Sequence, residues 1–192
     1  MTTREQRAQR VRRERRGHGT GCGVSWAEFR EAAPGFAEAV EQRFGKYPHH
    51  VLATLRKDGS PRLTGLEADF RVGELWLGMM WGSLKARDLR RDNRFALHAN
   101  PGSDNGMDDG DVRVSGRAVE VTAPDVLARW AAGAPDGGTP EKFHLFRAEV
   151  EEVVWVGVER EEIVLRIWRP GHPLRVIRRG DGDAPPDEES AH

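Results

Sequence analysis

The residues best suited to chemistry begin at Ser83, directly after the small and apolar segment 78–82. Ser83 stands where a helix would begin, Lys85 falls in the first turn, and Arg87 follows. A helix N-terminus presents unpaired N–H groups and the positive end of the dipole, so a lysine is unfavourable there unless an anion is bound. A phosphate would satisfy the serine and both cations. The alternative is a basic surface helix paired with its own acidic residues.

Histidine and cysteine residues offer fewer indications of chemistry. His49 and His50 are adjacent at the start of a predicted strand, which suits a haem or metal ligand but is more often structural. We interpret His98 and His144 as structural, because neither has a ligand-like partner nearby in the sequence. A single cysteine excludes a disulfide framework and a cysteine-built zinc site. The sequence therefore predicts no metal site and identifies no catalytic residue.

The elements that must position these residues follow from capping and periodicity. Ser25 and Glu28 fit a capping box, in which both side chains satisfy the first N–H groups of a helix. Pro34 should divide this helical segment in two. Hydrophobic alternation between glycine-containing turns predicts strands. The predicted strands are 50–56, 62–70, 74–80, 94–99, 111–121, 143–158 (one long strand or two broken ones), 163–168 and 174–178, with further helices at 83–92 and 124–132.

This pattern indicates a mainly β fold. Six to eight strands with short connections favour a small antiparallel barrel, to which a few short helices are added. Antiparallel strands joined by short turns leave open edges and an apolar face, which a second copy of the chain could cover. We therefore expect a homodimer.

Charge divides the chain of 192 residues into a middle and two ends. Seven arginines against two glutamates give residues 1–16 a net charge of +5, and five acidic residues give residues 181–192 a net charge of −5. Neither end has apolar periodicity, so we expect both to be disordered. The predicted organisation is an Arg-rich tail with a Gly-rich linker over 1–24, a folded domain over 25–180, and an acidic tail over 181–192. The alternative for the arginines is an arm that binds an acidic surface.

Composition narrows the class of protein further. Hydrophobic residues make up 38% of the chain, which is enough for one core. No apolar run approaches the roughly 20 residues that span a bilayer, and no apolar stretch follows the N-terminal arginines as in a secretory signal. A net charge of −1 argues against a nucleic-acid-binding domain. The sequence therefore predicts a cytoplasmic protein that acts on a small molecule and binds neither membrane nor nucleic acid.

The order of several short motifs resembles that of the pyridoxamine 5′-phosphate oxidase-like family. The resemblance runs from about residue 49 to residue 99, with weaker support up to residue 178. It implies an FMN-binding split β-barrel that forms a homodimer and binds the flavin at the subunit interface. The motifs are Leu52-Ala53-Thr54-Leu55, Asp58-Gly59-Ser60-Pro61, the strand 73–78, and the segment 83–92.

The same resemblance implies which residues hold the cofactor. Leu84 stands where the vitamin B6 oxidases have an arginine, and Thr64 and Asp69 stand where their second strand has an arginine and a lysine. The chain therefore resembles a divergent member and not the vitamin B6 enzyme itself. The implied cofactor-binding residues are Thr64, Gly65 and Leu66 beside the isoalloxazine ring, Gly78 and Met79 beside the ribityl chain, Ser83, Lys85 and Arg87 at the phosphate, and Trp168 near the C-terminal end of the domain.

The function that the resemblance implies is flavin-dependent oxidation or reduction of an unknown substrate. FMN carries the redox chemistry in such proteins, while the protein positions it and tunes its electronics. Related split barrels use a deazaflavin, whose phosphate-bearing tail also suits a basic helix, and others bind haem. A non-enzymatic flavin- or haem-binding protein is a further alternative, and all of these stay open at the level of sequence.

Overall fold

The computed structural model of the chain describes residues 23–102, 110–133, 142–180 and 187–191. The predicted Arg-rich tail lies outside these ranges except for its last two residues. The described residues form four helices and ten strands, and the strands join in one antiparallel sheet that does not close. This architecture confirms the mainly β, split-barrel fold class, although it has more strands than the six to eight predicted.

Four short helices lie beside the sheet. Ser25 and Glu28 form the predicted capping box at the start of the first helix, and Pro34 occupies the first turn of the second. Both features confirm that local sequence sets the helix boundaries here. The helices are α1 (Trp26–Ala32), α2 (Pro34–Gly45), α3 (Leu84–Arg91) and α4 (Pro124–Ala132).

The sheet is built around one long central strand. The strands are β1 (His50–Leu55), β2 (Pro61–Leu66), β3 (Ala68–Arg71), β4 (Glu74–Met80), β5 (Arg94–His98), β6 (Asp111–Glu120), β7 (Phe143–Glu159), β8 (Glu162–Trp168), β9 (Leu174–Arg179) and β10 (Asp187–Ala191). Strand β7 has 17 residues and pairs with β4, β6 and β8. It therefore joins the β4 hairpin to the rest of the sheet.

Two predictions about the strands need correction. The single strand expected over 62–70 is divided at Glu67, because β2 pairs with β1 whereas β3 pairs with β4. Residues 187–191, expected to be part of a disordered tail, form β10 against β9. The two strands pair at five positions, and Glu188 accepts a hydrogen bond from Arg175 of β9 at 2.7 Å, so backbone pairing forms this edge where apolar periodicity is absent. Residues 181–186 and 192 lie outside the described ranges.

The core lies between the sheet and helices α1 and α2. Trp26 and Phe29 of α1 are buried, and their rings contact each other at a centroid distance of 4.9 Å. Phe146 and Val150 of β7 are buried in the same cluster. None of the helices within the described ranges is long and apolar enough to cross a bilayer.

Candidate functional site

A cavity of about 240 Å³ lies where the ends of β2 and β4 meet the start of α3. Its walls combine backbone, apolar side chains and three ionisable groups. The lining residues are His49, Gly65, Leu66, Glu67, Gly78, Met79, Met80 and Lys85. Five of the nine residues implied to bind a cofactor, namely Gly65, Leu66, Gly78, Met79 and Lys85, are therefore brought together by the fold.

The turn between β4 and α3 gives the cavity its polar end. Gly82 adopts φ +70°, a left-handed conformation that glycine adopts without steric cost. The Ser83 N–H then donates to the Met80 carbonyl at 3.2 Å, and the Arg87 N–H donates to the Ser83 carbonyl at 3.2 Å. The helix therefore begins directly after the glycine, as the sequence predicts. We refer to residues 82–85 as the β4–α3 turn.

Lys85 extends from the β4–α3 turn to the opposite wall of the cavity. Its Nζ donates a hydrogen bond of 2.6 Å to the carbonyl of Gly65 on β2. Burial lowers the pKa of the Lys85 ammonium, because the partly desolvated site disfavours the charged form. Within the described residues, Lys85 forms no ion pair. Its charge is thus available to an anionic group that enters the cavity.

Two hydroxyl groups next to the lining residues are buried and have no hydrogen-bond partner within the part of the chain that the structure describes. They are Oγ of Ser83 and Oγ1 of Thr64. A buried polar group without a partner is costly and uncommon in folded proteins. Both residues were implied to contact a cofactor. The Ser83 hydroxyl and the Lys85 ammonium, which has no ion pair within the described residues, fit a ligand that carries a phosphate group.

Two other predicted site residues do not reach the cavity. Arg87 is exposed on α3 and is not a lining residue. Trp168, at the end of β8, is only 3% exposed. Its ring packs against Phe29 at a centroid distance of 4.5 Å. Trp168 is therefore a core residue, and the structure does not place it beside the cavity.

Three lining residues were not among those predicted. His49 and Glu67 face each other at the rim, with 3.6 Å between Nδ1 and Oε1, and both are largely exposed. Met80 is 79% exposed. Strand register could have identified the rim pair, because the turn after β1 aligns His50 with Leu66 and so brings His49 to Glu67.

His144, which the sequence indicates to be structural, contacts the β4–α3 turn. It is 3% exposed, and its Nε2 lies 3.0 Å from the Gly82 backbone nitrogen. Its Nδ1 lies 3.1 Å from Oε1 of Glu120. The Trp81 ring stacks on the imidazole at 4.6 Å and 16°. The partners lie on other elements, so no local pattern could have revealed this cluster.

Helix α4 packs behind the strand that forms one wall of the cavity. A side chain at Gly78 would meet the Trp130 ring at 3.1 Å, so the glycine permits close approach of the helix. The Trp130 Nε1–H donates to Oδ2 of Asp69 at 3.0 Å. Asp69, which stands where the vitamin B6 oxidases have a lysine, therefore binds α4 and is not a lining residue.

Comparison with known proteins assigns this arrangement to a family. The model of the family described as pyridoxamine 5′-phosphate oxidase matches residues 36–156, which include every residue that lines the cavity. No curated protein matches the sequence.

Three solved structures illustrate the likeness of fold. A pyridoxamine 5′-phosphate oxidase-related, FMN-binding protein from Nostoc punctiforme has 16% identity and a TM-score of 0.52, with 83% of this chain and 96% of that chain covered. A haem-binding protein from Mycobacterium smegmatis has 15% identity and a TM-score of 0.51, with 79% of this chain and 87% of that chain covered. A protein of unknown function from Agrobacterium tumefaciens has 23% identity and a TM-score of 0.46, with 60% of this chain covered. The match covers 55% of that protein, so this chain spans about half of that protein's length. At such low identities the first two structures show the fold alone, and no conclusion is drawn from the third.

Proposed function

The chain belongs to the pyridoxamine 5′-phosphate oxidase family, and we propose that it is an FMN-binding oxidoreductase. The observation that carries this proposal is the half-buried ammonium of Lys85, which has no ion-pair partner among the described residues and stands at the start of α3. A phosphate group is the natural partner of a cation at a helix N-terminus.

We assign the parts of the flavin to the walls of the cavity. Lys85 and the buried hydroxyl of Ser83 would hold the phosphate, and Gly78 and Met79 would flank the ribityl chain. Residues 64–66 would lie beside the ring. When bound, FMN supplies the capacity to accept and donate electrons.

The chain's own contribution is to bind the cofactor and to exclude water from the cavity. Leu66 and Met79 are buried and present apolar surface to the cavity. Lys85 now donates to the Gly65 carbonyl, and it would exchange or share this bond with a phosphate oxygen. The glycine carbonyl thus keeps the ammonium in place before the cofactor arrives.

The substrate of this proposed enzyme differs from that of the vitamin B6 oxidases. Leu84, Thr64 and Asp69 stand where those enzymes have arginine and lysine residues, so the basic residues that mark the vitamin B6 oxidases are missing here. We therefore expect pyridoxamine phosphate to leave the bound flavin oxidised under anaerobic conditions. Bleaching of the flavin by a nicotinamide donor would support reductase activity. A flavin that no donor reduces would indicate a non-enzymatic flavin-binding protein.

Haem is the second candidate cofactor, because the exposed imidazole of His49 lines the cavity and could ligate iron. A deazaflavin is the third, since its tail also carries a phosphate. The absorption spectrum of the purified protein distinguishes these cofactors. We expect the visible absorption bands of a flavin. A Soret band that disappears in His49→Ala would show instead that the cofactor is haem, with His49 as its ligand.

We further propose that the protein is a homodimer with the flavin at the subunit interface. Large apolar side chains next to the cavity are exposed in the single protomer, among them Met80, Trp81 and Leu84. Contiguous exposed apolar surface commonly marks an interface. Light scattering should give about twice the chain mass of 21.5 kDa, and the monomer mass at micromolar concentration would contradict the dimer.

A further inference from the structure

We propose that His144 is the positioning residue for the phosphate-binding turn, and that Glu120 and Arg90 hold its ring in the one tautomer that can do this. The inference rests on the proposed function, because it concerns the part of the cavity assigned to the FMN phosphate. It adds a residue on β7 that is not among those that line the cavity.

The contact with Gly82 determines where the ring proton must be. The Gly82 N–H points at Nε2 of His144 across 3.0 Å, so Nε2 must be the acceptor and cannot carry a proton. In a neutral imidazole the proton then resides on Nδ1. Nδ1 faces Oε1 of Glu120 at 3.1 Å, which is the acceptor that such a proton requires.

Arg90 keeps Glu120 ionised, the form in which its carboxylate accepts a hydrogen bond from Nδ1–H of His144. Its Nε and Nη2 donate to the two carboxylate oxygens at 2.7 and 2.6 Å. The hydrogen bonds from Arg90 and, to a lesser extent, from His144 lower the pKa of Glu120, although partial burial opposes the shift. Arg90 Nη2 also lies 3.3 Å from Nδ1 of His144. Without Glu120, this guanidinium would donate to Nδ1 and drive the ring proton to Nε2.

The network therefore controls the β4–α3 turn from two directions. His144 fixes the backbone at Gly82, one residue before Ser83, while Arg90 ties the far end of α3 to the same carboxylate. Trp81 stacks on the imidazole ring, which is itself buried. A proton on Nε2 would oppose the Gly82 N–H and displace the turn from the position in which Ser83 and Lys85 meet a phosphate.

Comparison of FMN with riboflavin isolates the phosphate contribution. We expect His144→Leu to reduce the ratio of FMN to riboflavin affinity about tenfold, the equivalent of one lost hydrogen bond. His144→Gln, whose amide oxygen can accept from Gly82, should restore most of the ratio. His50→Leu is the matched control: His50 is also 3% exposed and its Nδ1 also faces a backbone N–H, that of Asn100. It should leave the ratio unchanged.

Two results in proteins that bind both flavins would overturn the positioning role. One is an equal loss of FMN and riboflavin affinity in His144→Leu, and the other is a failure of His144→Gln to recover the ratio. A parent protein that binds neither flavin would overturn the proposed function together with this inference.

Nitrogen NMR of the imidazole tests the tautomer without any ligand and without removing the histidine. We expect the Nδ1–H form of His144 in the parent and the Nε2–H form in Glu120→Ala, where Arg90 takes over Nδ1. In Glu120→Ala the ratio of FMN to riboflavin affinity should also fall several-fold. An Nε2–H tautomer in the parent, or an unchanged tautomer and ratio in Glu120→Ala, would overturn the proposal.

Discussion

The β4–α3 turn and the end of β8 differ sharply, although resemblance to the family implies that both contact FMN. The turn carries an ammonium with no ion pair among the described residues and a buried hydroxyl, on Ser83, with no hydrogen-bond partner. Trp168, by contrast, is fully packed and contacts Phe29. A bound ligand would satisfy the polar groups at the turn, whereas the apolar packing of Trp168 contributes to stability.

The difference also shows how far a match by motif can be extended. Ser83 and Lys85 lie in one contiguous segment, so their relative geometry is set by a single turn and helix. Trp168 was matched as an isolated residue far along the chain, where its surroundings depend on long-range packing. The contiguous motif therefore keeps its local geometry, whereas the surroundings of the single distant residue depend on the rest of the fold.

The largest effect should come from Trp168→Ala. Removal of this buried ring should lower the free energy of unfolding by about 3–5 kcal/mol, as for other large-to-small core substitutions. Urea denaturation measures the loss. The affinity ratio of FMN to riboflavin should not change, and a selective loss of FMN would return Trp168 to the cofactor site.

Lys85→Ala should weaken FMN binding by about 1.5–3 kcal/mol, the range for a hydrogen bond to a charged group. Riboflavin, which lacks the phosphate, should lose much less in the same fluorescence titration. Arg87→Ala is the control, since an exposed charge contributes about 0–1 kcal/mol. If the Arg87 variant lost as much FMN affinity as the Lys85 variant, the phosphate would lie further along α3.

FMN affinity should also fall as the pH rises through the lowered pKa of Lys85. A phosphate stabilises the ammonium, so the complex retains a proton at pH values where the free protein has lost it. Linkage then requires weaker binding at higher pH. Titrations above pH 7 should show this decline, and Lys85→Arg, which stays charged, should abolish it. An unchanged decline in Lys85→Arg would assign the titration to another group.

Ser83→Ala should have the smallest effect. Loss of one neutral hydrogen bond should weaken FMN binding by about 0.5–1.5 kcal/mol. The protein without cofactor should be no less stable, because the hydroxyl has no partner there to lose. Thermal unfolding with and without FMN separates the two effects. A large loss of stability without FMN would indicate that the hydroxyl has a structural role.

Local signals predicted the parts of the fold that local energetics determine. The capping box of α1, the division at Pro34 and the start of α3 each depend on a few neighbouring residues. Strand β10 was missed because its backbone pairs with β9 at the sheet edge without any apolar periodicity in its sequence. The break at Glu67 was missed because the two halves of the predicted strand choose different partners.

In the candidate site, too, local signals identify some residues and not others. The sequence singles out Lys85 by its unusual position in the first turn of a helix, and the structure places it in the cavity wall. His144 could not be found, because its meaning depends on Gly82, 62 residues away, and on Glu120 of another strand. Chemistry that belongs to one turn is visible in the sequence, whereas the network that positions the turn is visible only in three dimensions.

A crystal structure of the protein with FMN tests the central proposal most directly. We expect the phosphate within hydrogen-bond distance of Nζ of Lys85 and Oγ of Ser83, with Nζ drawn away from or shared with the Gly65 carbonyl. Trp168 should remain packed against Phe29. A phosphate bound elsewhere, with Lys85 still donating only to Gly65, would contradict the assignment of the cavity.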